Sequence, residues 1–577
     1  MTAAAESTSA PVEVSPGRMR LVVAASAAGT VFEWYDFFVY GTIALIMKDN
    51  FFSGLPDAQA LIFSLLAFSI ALVVRPIGAL VFGKVGDSLG RKGAFLVTIS
   101  LMGLATFAIG CLPTQSQVSA GMFWLPAVLL ISLRVLQGFA LGGEYGGAAI
   151  YVAEHAHPKR RGAATSWIQC SAAIGLIGAL GVVLAAQNYM SADAFRAWGW
   201  RIPYWVSIGL LAISLYIRLK LEESPAFRKL KDAGEHSKRP FADTFLDWRT
   251  VRIMALALFG LMMAQGVSWY CTHFYAPLFM KQTLGVTAKT VDYLTLVVVI
   301  ISAPLYIFFA WLSDKVGRKP IMLGGMLLFT VATFPAFHTF TRATAPTLEA
   351  ASFAAPAVVV ADPRDCSVQF DLTGGANAFA TSCDIAKSAL TSAGVNYTFE
   401  AAEPGAQARV RIGYHGSLQA PSAVGQNLAG INAVRKDFGA RLRAALTEAG
   451  YPAPTHQINF WLALGVMTVL IVAATMLYGP QAAALVELFP TRIRYTALSF
   501  PYNVGTGWFG GLLPPAVFAI ATARGDIYAG LWYPVIVTGA AAILFLFLWP
   551  ETKDRDIHAA DAPARPHGAV NEALPNP

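Results

Sequence analysis

Two carboxylates, Glu33 and Asp36, lie inside a long apolar run near the start of the chain. They are three residues apart, so on a helix they share one face. A charged side chain in an apolar environment costs several kcal/mol, so such a residue is a candidate for a chemical task. Burial favours the neutral form of a carboxyl group and a nearby arginine favours the charged form. A carboxylate held between these two effects can take up and release a proton.

Arginines in two other apolar runs could serve this chemistry. From the helical rise of 1.5 Å per residue, Glu33 lies about 18 Å into its run and Arg134 about 15 Å from the opposite side. An acid–base pair across this part of the chain is therefore geometrically possible, and a static structural salt bridge is the competing interpretation. Arg75 either attracts an anionic substrate, extends its charge to the membrane surface, or pairs with Glu144.

The composition indicates which solvent surrounds these residues. Of 577 residues, 56% are hydrophobic and 13% are charged, whereas a soluble protein has about 25% charged residues. A membrane-spanning helix needs about 20 apolar residues, and its backbone satisfies its own hydrogen bonds. Twelve such runs predict an all-α membrane protein: 21–46, 61–83, 93–112, 124–149, 164–187, 202–221, 252–279, 291–312, 320–340, 459–480, 496–521 and 532–549.

The positions of the basic residues predict the topology. Lysines and arginines are concentrated in the loops of one side, which places both termini and the central loop in the cytoplasm. The formal charge of +8 is spread over these short loops, which argues against nucleic acid as a partner. The predicted segments are a tail (1–20), a first six-helix half (21–221), a central loop (222–251), helices 7–9 (252–341), an extracytoplasmic insertion (342–457), helices 10–12 (458–549) and a second tail (550–577).

Two loop motifs occur once in each half. GKVGDSLGRK (Gly83–Lys92) matches AWLSDKVGRK (Ala310–Lys319), and EHAHPKRRG (Glu154–Gly162) matches ELFPTRIRY (Glu487–Tyr495). Such a repeat indicates two related six-helix halves. The second pair is separated by far more chain than the first, which indicates an insertion between helices 9 and 10.

The insertion is too long and too patterned for a plain loop. Residues 367–372, NYTFEA and ARVRIGY are predicted strands, whereas 384–394 and 431–450 are predicted helices that end at glycines. This pattern predicts a small α+β domain. Cys366 and Cys383 would lie in an oxidising compartment, so we expect a disulfide between them. Its loop would contribute about 3 kcal/mol in the chain-entropy model. The other three cysteines, Cys111, Cys170 and Cys271, are interpreted as packing residues.

The doubled GxxxDxxGRK motif resembles that of the major facilitator superfamily. EWYDFFVYG, RPIG, RVLQGFALGGEYGGA, WGWRIP and LEESPAFRKL are similar to its metabolite:proton symporter branch, which includes proline/betaine, α-ketoglutarate, citrate and shikimate transporters. The resemblance implies alternating access around a central site, with a proton moving with the substrate. It also implies that Asp36 carries the proton opposite Arg134, and Glu33 is expected to share the charge.

The resemblance implies a cytoplasmic gate built from the repeated loops. Its predicted members are Gly83, Asp87, Gly90, Arg91, Lys92, Glu144, Glu154, Arg161, Asp314, Gly317, Arg318, Lys319, Glu487 and Arg494. Topology-setting charge explains the basic members but not the repeated aspartate and glycine. Polar and aromatic residues inside helices are candidates for substrate binding, with helix packing as the plainer alternative: Arg75, Trp167, Gln169, Trp269, Tyr270, Tyr502 and Asn503.

These patterns favour a proton-coupled importer of a small organic acid or zwitterionic osmolyte in the inner membrane, and not an enzyme. We expect a monomer, no metal site and no cofactor beyond the proton. GGEYGG and GTGWFGG lack the spacing of a nucleotide-binding loop. The alternatives are a membrane sensor or anchored enzyme that acts through the insertion, and a facilitator or exporter of the same fold. Substrate identity does not follow from the sequence.

Overall fold

The computed structural model describes residues 16–55, 57–89, 91–219, 244–367, 379–414, 416–452, 458–489, 494–553 and 555. Helices lie at all twelve predicted positions. Within these ranges, nine helical segments are long and apolar enough to cross a membrane, and Leu96–Cys111 is a shorter apolar helix. We number the twelve helical segments as spans 1–12.

The first half contains spans 1–6. They are span 1 (Pro16–Thr42, continued by Ala44–Phe51), span 2 (Asp57–Val73 and Arg75–Leu89), span 3 (Arg91–Cys111), span 4 (Leu125–Leu141 and Glu144–His155), span 5 (Arg161–Tyr189) and span 6 (Ile202–Leu219). Spans 1, 2 and 4 are each divided by a short irregularity. Between spans 5 and 6 lies the short helix Ala192–Ala197.

The second half contains spans 7–12. They are span 7 (Trp248–Thr283), span 8 (Ala288–Val316), span 9 (Arg318–Thr344), span 10 (Phe460–Leu488), span 11 (Arg494–Arg524) and span 12 (Trp532–Leu548). Span 7 contains π-helical turns at Ala257–Met262, Cys271–Tyr275 and Phe279–Thr283, and span 11 contains one at Gly505–Gly510. Such turns are frequent at functional sites.

The two halves meet along spans 5, 8 and 10 and along spans 2 and 11. Glycines make the closest approaches possible. A Cβ atom added to Gly507 of span 11 would collide with the Leu72 carbonyl of span 2, and one added to Gly138 of span 4 would collide with the Ala71 carbonyl. Small residues therefore set the distance between these helix backbones, as in many membrane proteins.

The segment between spans 9 and 10 contains a four-stranded sheet in the order β2-β1-β3-β4. Its strands are β1 (Ala357–Ala361), β2 (Tyr397–Ala401), β3 (Arg409–Ile412) and β4 (Ser417–Gln419). β1 is parallel to β2 and antiparallel to β3, which is antiparallel to β4. The helices of this segment are Leu348–Ala354, Ser382–Ser392 and Leu428–Glu448.

Several predictions for this segment are confirmed. β2, β3 and the two longer helices lie where the sequence placed them, and Gly394 and Gly450 have positive φ angles after these helices. Of the predicted strand 367–372, residues 368–372 lie outside the described residues. The sequence reading missed β1, β4 and the helix Leu348–Ala354, because each is too short to show a clear period.

The predicted disulfide is present between Cys366 and Cys383, whose Cα atoms are 5.2 Å apart. Cys383 lies in the first turn of the helix Ser382–Ser392, so the bond fastens this helix to the chain that follows β1. Where the segment leaves and rejoins the helical bundle, the Asn459 amide donates to the Ala343 carbonyl at 2.8 Å. The two ends of the segment are therefore neighbours.

The segment rests mainly on the second half. The Tyr397 amide donates to the Gly525 carbonyl at 2.7 Å, and the Tyr397 hydroxyl donates to the Thr522 carbonyl at 2.8 Å. The segment also reaches the first half, where the Asn432 side-chain amide donates to the Ser53 carbonyl at 3.1 Å and the helix Ser382–Ser392 packs against Asp57–Val73 of span 2. The segment thus contacts both halves at the ends of the spans opposite to Asp314 and Glu487.

Candidate functional site

A buried ion pair joins spans 1 and 2 in the first half. An Arg75 guanidinium nitrogen lies 3.0 Å from a Glu33 carboxylate oxygen, and the two side chains are 2% and 3% exposed. Of the three roles considered for Arg75, the structure shows an ion pair, but with Glu33. The Glu144 side chain lies outside the described part of the chain. The pair is separated by 42 residues in sequence, which is why no local spacing pointed to it.

Asp36 and Arg134 are connected, but through two neutral side chains. The Thr106 hydroxyl of span 3 donates to the Asp36 carboxylate at 2.8 Å, and the Gln137 amide of span 4 donates to Thr106 at 2.5 Å. Arg134 in turn donates to the Gln137 side-chain oxygen at 2.8 Å. All four residues are at most 2% exposed. The direct pairing that the sequence suggested is therefore replaced by a relay, and the sequence reading missed Thr106 and Gln137.

Arg134 is held by several further contacts. It donates to the carbonyls of Ala67 (3.2 Å) and Phe68 (3.1 Å) in span 2, and its guanidinium lies 4.6 Å from the Tyr40 ring centroid. With Gln137 included, its three nitrogens all donate hydrogen bonds. In contrast, Arg75 has one nitrogen, Nε, without a hydrogen-bond partner among the described residues. Of these two arginines, Arg75 is thus the one with spare donor capacity.

Aromatic rings surround these charges at the interface of the halves. Trp34 and Phe38 of span 1 lie 5.4 Å and 5.6 Å from Trp269 of span 7, measured between ring centroids. Phe37 and Phe68 pack within 6.3 Å of Tyr270. Arg75 lies 5.9 Å from the Trp34 ring and 5.8 Å from the Phe37 ring. The result is an apolar enclosure with one ion pair, Glu33–Arg75, and one hydrogen-bonded relay, from Arg134 to Asp36, along one wall.

Polar groups face this enclosure from deeper in the bundle. Tyr145 and Tyr502 stack at 3.8 Å across the two halves, and Gln169 donates to the Tyr145 hydroxyl at 2.7 Å. Trp269 donates to the Tyr306 hydroxyl at 3.0 Å. Some buried polar atoms here have no hydrogen-bond partner among the described residues: Gln169 Oε1, Gln265 Oε1 and the Tyr270 hydroxyl. Unmatched buried polar groups are what a polar ligand would satisfy.

The predicted substrate-binding residues divide into three groups. Arg75, Gln169, Trp269, Tyr270 and Tyr502 are buried around this interface. Asn503 is buried, but its amide donates to the Gly142 and Ser499 carbonyls, which joins spans 4 and 11. Trp167 is 47% exposed on the outside of the bundle, so its placement in the cavity was wrong. The hydropathy of a span indicates how deep a residue lies but not which way it points.

A charged network closes one end of the interface between the two halves. The Asp314 carboxylate of span 8 accepts hydrogen bonds from the Gly162 (2.9 Å) and Ala163 (2.8 Å) amides at the start of span 5. This places a negative charge at a helix N-terminus, where it is stabilised. Arg161 lies 3.0 Å from Glu487 of span 10, which completes a second link between the halves.

Arg318 joins these two links into one network. Its guanidinium lies 2.7 Å from Asp314 and 3.1 Å from Glu487, and all three side chains are buried. Gly317, which precedes it, has a φ of +110°, a conformation that favours glycine. Arg494, another predicted member, donates to the Phe489 carbonyl at 2.9 Å.

The sequence reading missed two members that follow span 12. The Glu551 carboxylate accepts hydrogen bonds from the Arg318 (2.9 Å) and Lys319 (3.1 Å) amides at the start of span 9, and Thr552 donates to Glu487 at 2.9 Å. Burial alone would raise the pKa of the Glu551 carboxyl, but the amides that donate to it, including those of Lys553, Arg318 and Lys319, lower this pKa below its usual value. Glu551 is therefore ionised at neutral pH.

The repeated loops of the first half contain the other predicted members of the gate. Gly90 and the side chains of Asp87, Arg91, Lys92 and Glu154 lie outside the described part of the chain, as does that of Glu144. Gly83 lies within the helix Arg75–Leu89. The roles of these residues in a gate stay predictions.

Replacing Asp314 by asparagine should weaken this network and favour states that are open on its side. An asparagine keeps one acceptor oxygen but directs an N–H group at a donor, and it removes the charge that faces Arg318. Spin labels at the exposed positions Lys159 and Val316 should then report a longer mean distance without ligand. Asp247→Asn is the matched control, because Asp247 caps the start of span 7. An unchanged distance distribution would assign Asp314 to topology alone.

Another ion pair lies at the end of the interface opposite to the Asp314–Arg318–Glu487 network. Lys281 of span 7 and Asp292 of span 8 are 2.5 Å apart, and Lys281 also reaches the Thr42 carbonyl of span 1 at 3.5 Å. They line a small cavity together with His273 and Thr295. The sequence reading treated Lys281 as a loop residue and passed over Asp292. The sequence did contain a sign of this pair, because Lys281 and Asp292 are charged residues at the facing edges of two consecutive apolar runs.

Three cysteines lie outside the disulfide. Cys170 and Cys271 are buried, whereas Cys111 is exposed at the end of span 3. In the described part of the chain, no cluster of three or more histidine, cysteine or acidic residues could hold a metal ion.

Comparison with known sequences connects this site to transporters. A family model described as "Sugar (and other) transporter" matches residues 21–245 and 228–361. The glycine betaine/proline/ectoine/pipecolic acid transporter OusA of Dickeya dadantii (strain 3937) is 33% identical over 333 residues, 56% of this chain and 65% of that protein. The proline/betaine transporter of Escherichia coli (strain K12) is 32% identical over 339 residues, with the same shares. The chain thus spans just under two thirds of the length of these relatives.

Comparison with solved structures covers nearly the whole chain. The proton:xylose symporter XylE, of the major facilitator superfamily, superposes with a TM-score of 0.61 at 15% identity over 95% of this chain and 99% of that chain. XylE from E. coli in a partially occluded inward-open conformation gives a TM-score of 0.59 at 14% identity over 93% of this chain and 99% of that one. The chain therefore has the major facilitator fold and belongs to the sugar (and other) transporter family.

Proposed function

We propose that this protein imports a small zwitterionic metabolite together with protons, by alternating access between its two halves. The observation that carries the proposal is the enclosure at their interface, where Asp36 and the Glu33–Arg75 pair lie buried beside aromatic rings of both halves. Relatives named as transporters of glycine betaine and proline, and a structural neighbour named as a proton symporter, support the same activity.

The chemistry of the enclosure favours a zwitterion. Aromatic faces attract quaternary ammonium and other cationic groups, and Trp34, Phe38 and Trp269 present such faces close together. Arg75 has a spare nitrogen for a carboxylate. An organic acid without a cationic group is the second candidate, because Arg75 suits its carboxylate equally well. Such an acid would leave the aromatic faces without a cation to bind.

Transport would follow if the two sides of the interface between the halves open and close in turn. The Asp314–Arg318–Glu487 network holds one side shut, and we assign it to the cytoplasmic side. Opening of the other side would let the substrate reach Arg75 and a proton reach Asp36. Loss of the charge on Asp36 lowers the cost of burying the loaded site, so the protein that holds both proton and substrate would reorient more readily than the protein that holds substrate alone.

Uptake by purified protein in liposomes tests this proposal. Radiolabelled glycine betaine, proline, α-ketoglutarate and xylose are offered with and without an inside-alkaline pH gradient, and with a sodium gradient at constant pH. We expect concentrative uptake of betaine or proline that follows the pH gradient. Uptake of α-ketoglutarate alone would select the organic acid. Uptake without any response to pH would contradict symport and indicate a facilitator or a sodium-coupled carrier, and net efflux under the same gradient would indicate an exporter.

We also propose that the chain works as a monomer in the inner membrane with both termini in the cytoplasm. The basic residues beside Asp314 and Arg161, such as Lys159, Lys315 and Lys319, support this orientation. Labelling of single cysteines at Lys159 and at Tyr414 with a membrane-impermeant reagent tests it. Only the variant at Tyr414, in the segment between spans 9 and 10, should react in intact cells.

A sensor or an anchored enzyme that uses this segment is the alternative function, and excision separates the two readings. Because Ala343 and Asn459 are hydrogen-bonded neighbours, residues 345–457 can be replaced by a short Gly/Ser linker without moving spans 9 and 10. We expect uptake to persist within a few-fold, since the enclosure lies in the spans. A variant that retains its thermal stability but loses all uptake would favour a function that resides in the segment.

A further inference from the structure

We propose that Thr106 and Gln137 are positioning residues that set the proton affinity of Asp36 and transmit the charge of Arg134 to it. This inference rests on the proposed proton coupling, but it gives a role to two residues that no earlier argument used: Thr106 lies in none of the family strings, and Gln137 lies within RVLQGFALGGEYGGA. Thr106 lies on span 3 next to Asp36, and Gln137 lies on span 4 next to Arg134, so together they connect the two charged residues.

The direction of each hydrogen bond in the relay follows from Arg134. A guanidinium can only donate, so the Gln137 group at 2.8 Å from Arg134 is its oxygen. The Gln137 NH₂ group therefore points the other way and donates to the Thr106 oxygen at 2.5 Å. With one lone pair of Thr106 occupied in this way, its single hydrogen is directed to an acceptor elsewhere.

Thr106 has two acceptors within reach for that hydrogen. The Asp36 carboxylate oxygen lies at 2.8 Å and the Met102 carbonyl, one turn earlier on span 3, at 3.0 Å. One hydroxyl hydrogen serves one of them fully at a time. When Asp36 is ionised, Thr106 donates to it. When Asp36 is protonated, the carboxyl O–H can donate to Thr106, whose hydrogen then turns to Met102. The hydroxyl thus responds to the protonation state of Asp36.

The surroundings of Asp36 make this one hydrogen bond important. The other Asp36 oxygen, Oδ1, is buried without a partner among the described residues. The charged and titratable groups around it are Glu33 and Tyr35 on span 1, Arg75 on span 2, Arg134 on span 4 and Tyr204 on span 6. Glu33 is paired with Arg75, and the Tyr35 hydroxyl donates to the Pro203 carbonyl at 2.9 Å. Thr106 is therefore the described residue that donates to the Asp36 carboxylate.

Thr106→Val tests the proposal, because valine keeps the shape and removes the hydroxyl. A hydrogen bond to a charged group typically stabilises that charge enough to move a titration by about 1–2 pH units. We expect the midpoint of the pH profile of substrate counterflow to move upward by about this amount. Thr106→Ser should keep the wild-type midpoint. Thr333→Val is the matched control, since the buried Thr333 hydroxyl donates to the Phe329 carbonyl in span 9.

Gln137→Leu provides a second and independent test of the relay. It should also raise the midpoint, and the double variant Thr106→Val/Gln137→Leu should match Thr106→Val alone, because both residues act through one relay. A midpoint unchanged in Thr106→Val, in a wild type that does accumulate substrate with a pH gradient, would overturn this inference and leave the symport proposal intact. A wild type without any pH response would instead overturn the symport proposal. A fall in maximal rate at constant midpoint would assign Thr106 to packing.

Discussion

Asp36→Asn should abolish accumulation of substrate against its gradient while exchange of labelled for unlabelled substrate continues. Asparagine fixes the side chain in a neutral state, so no proton can load and leave with each cycle. For one proton per substrate, a gradient of one pH unit can drive about a tenfold accumulation. The variant should reach equal concentrations inside and outside, whereas the wild type approaches that ratio.

Liposome uptake with an imposed pH gradient, followed by counterflow, measures both quantities in one preparation. Asp437→Asn is the control, because Asp437 forms an exposed ion pair with Arg441 in the helix Leu428–Glu448, away from the enclosure. If Asp36→Asn still concentrates substrate, Asp36 is structural and Glu33 becomes the next carboxylate to test. Loss of counterflow as well would indicate that Asp36 is needed for substrate binding or reorientation and not for coupling alone.

Arg75→Met should reduce both the stability and the transport of the protein. It removes the arginine that pairs with the buried Glu33 carboxylate, and breaking a buried ion pair from one side costs about 3–5 kcal/mol. The apparent melting temperature in detergent should fall clearly. Glu33→Gln/Arg75→Met should recover most of it, because both charges are then absent.

Transport by the double variant separates two roles of Arg75. If Arg75 holds the carboxylate of the substrate, the double variant regains stability but its half-saturation concentration stays at least tenfold higher, since one charged hydrogen bond contributes about 1.5–3 kcal/mol. If Arg75 serves only Glu33, uptake returns together with stability. Recovery of neither would show that the ion pair cannot be replaced by neutral side chains, against the expectation for buried pairs.

The sequence predicted helix positions and missed side-chain directions. Apolar length and the repeated loops depend on the composition of each span, which the membrane imposes directly, so all twelve helices lie where expected. The rotation of a helix about its axis depends on its neighbours. Trp167 and Gln169 are two residues apart on span 5, yet Trp167 is exposed and Gln169 is buried against Tyr145. Hydropathy could not distinguish them.

The same limit explains the changed pairing at the candidate site. The sequence indicated that Glu33, Asp36, Arg75 and Arg134 are buried ionisable residues, and all four are. Which acid meets which arginine depends on how spans 1–4 pack, and neutral residues such as Thr106 and Gln137 carry no signal of their own inside an apolar run. Asp314, Arg318 and Glu487 were easier to find, because loop residues that recur in both halves stand out. Glu551, which occurs in no repeat, did not.

The adjacency of Ala343 and Asn459 has a consequence for biosynthesis. Span 9 leaves the ribosome long before span 10, and the chain between them would have to cross the membrane before the second half can close. Because the segment builds its own sheet and disulfide and returns to its starting point, it can fold as a local event whose completion brings the two spans together. Slow oxidation of Cys366 and Cys383 would then delay assembly of a helical bundle that contains neither residue.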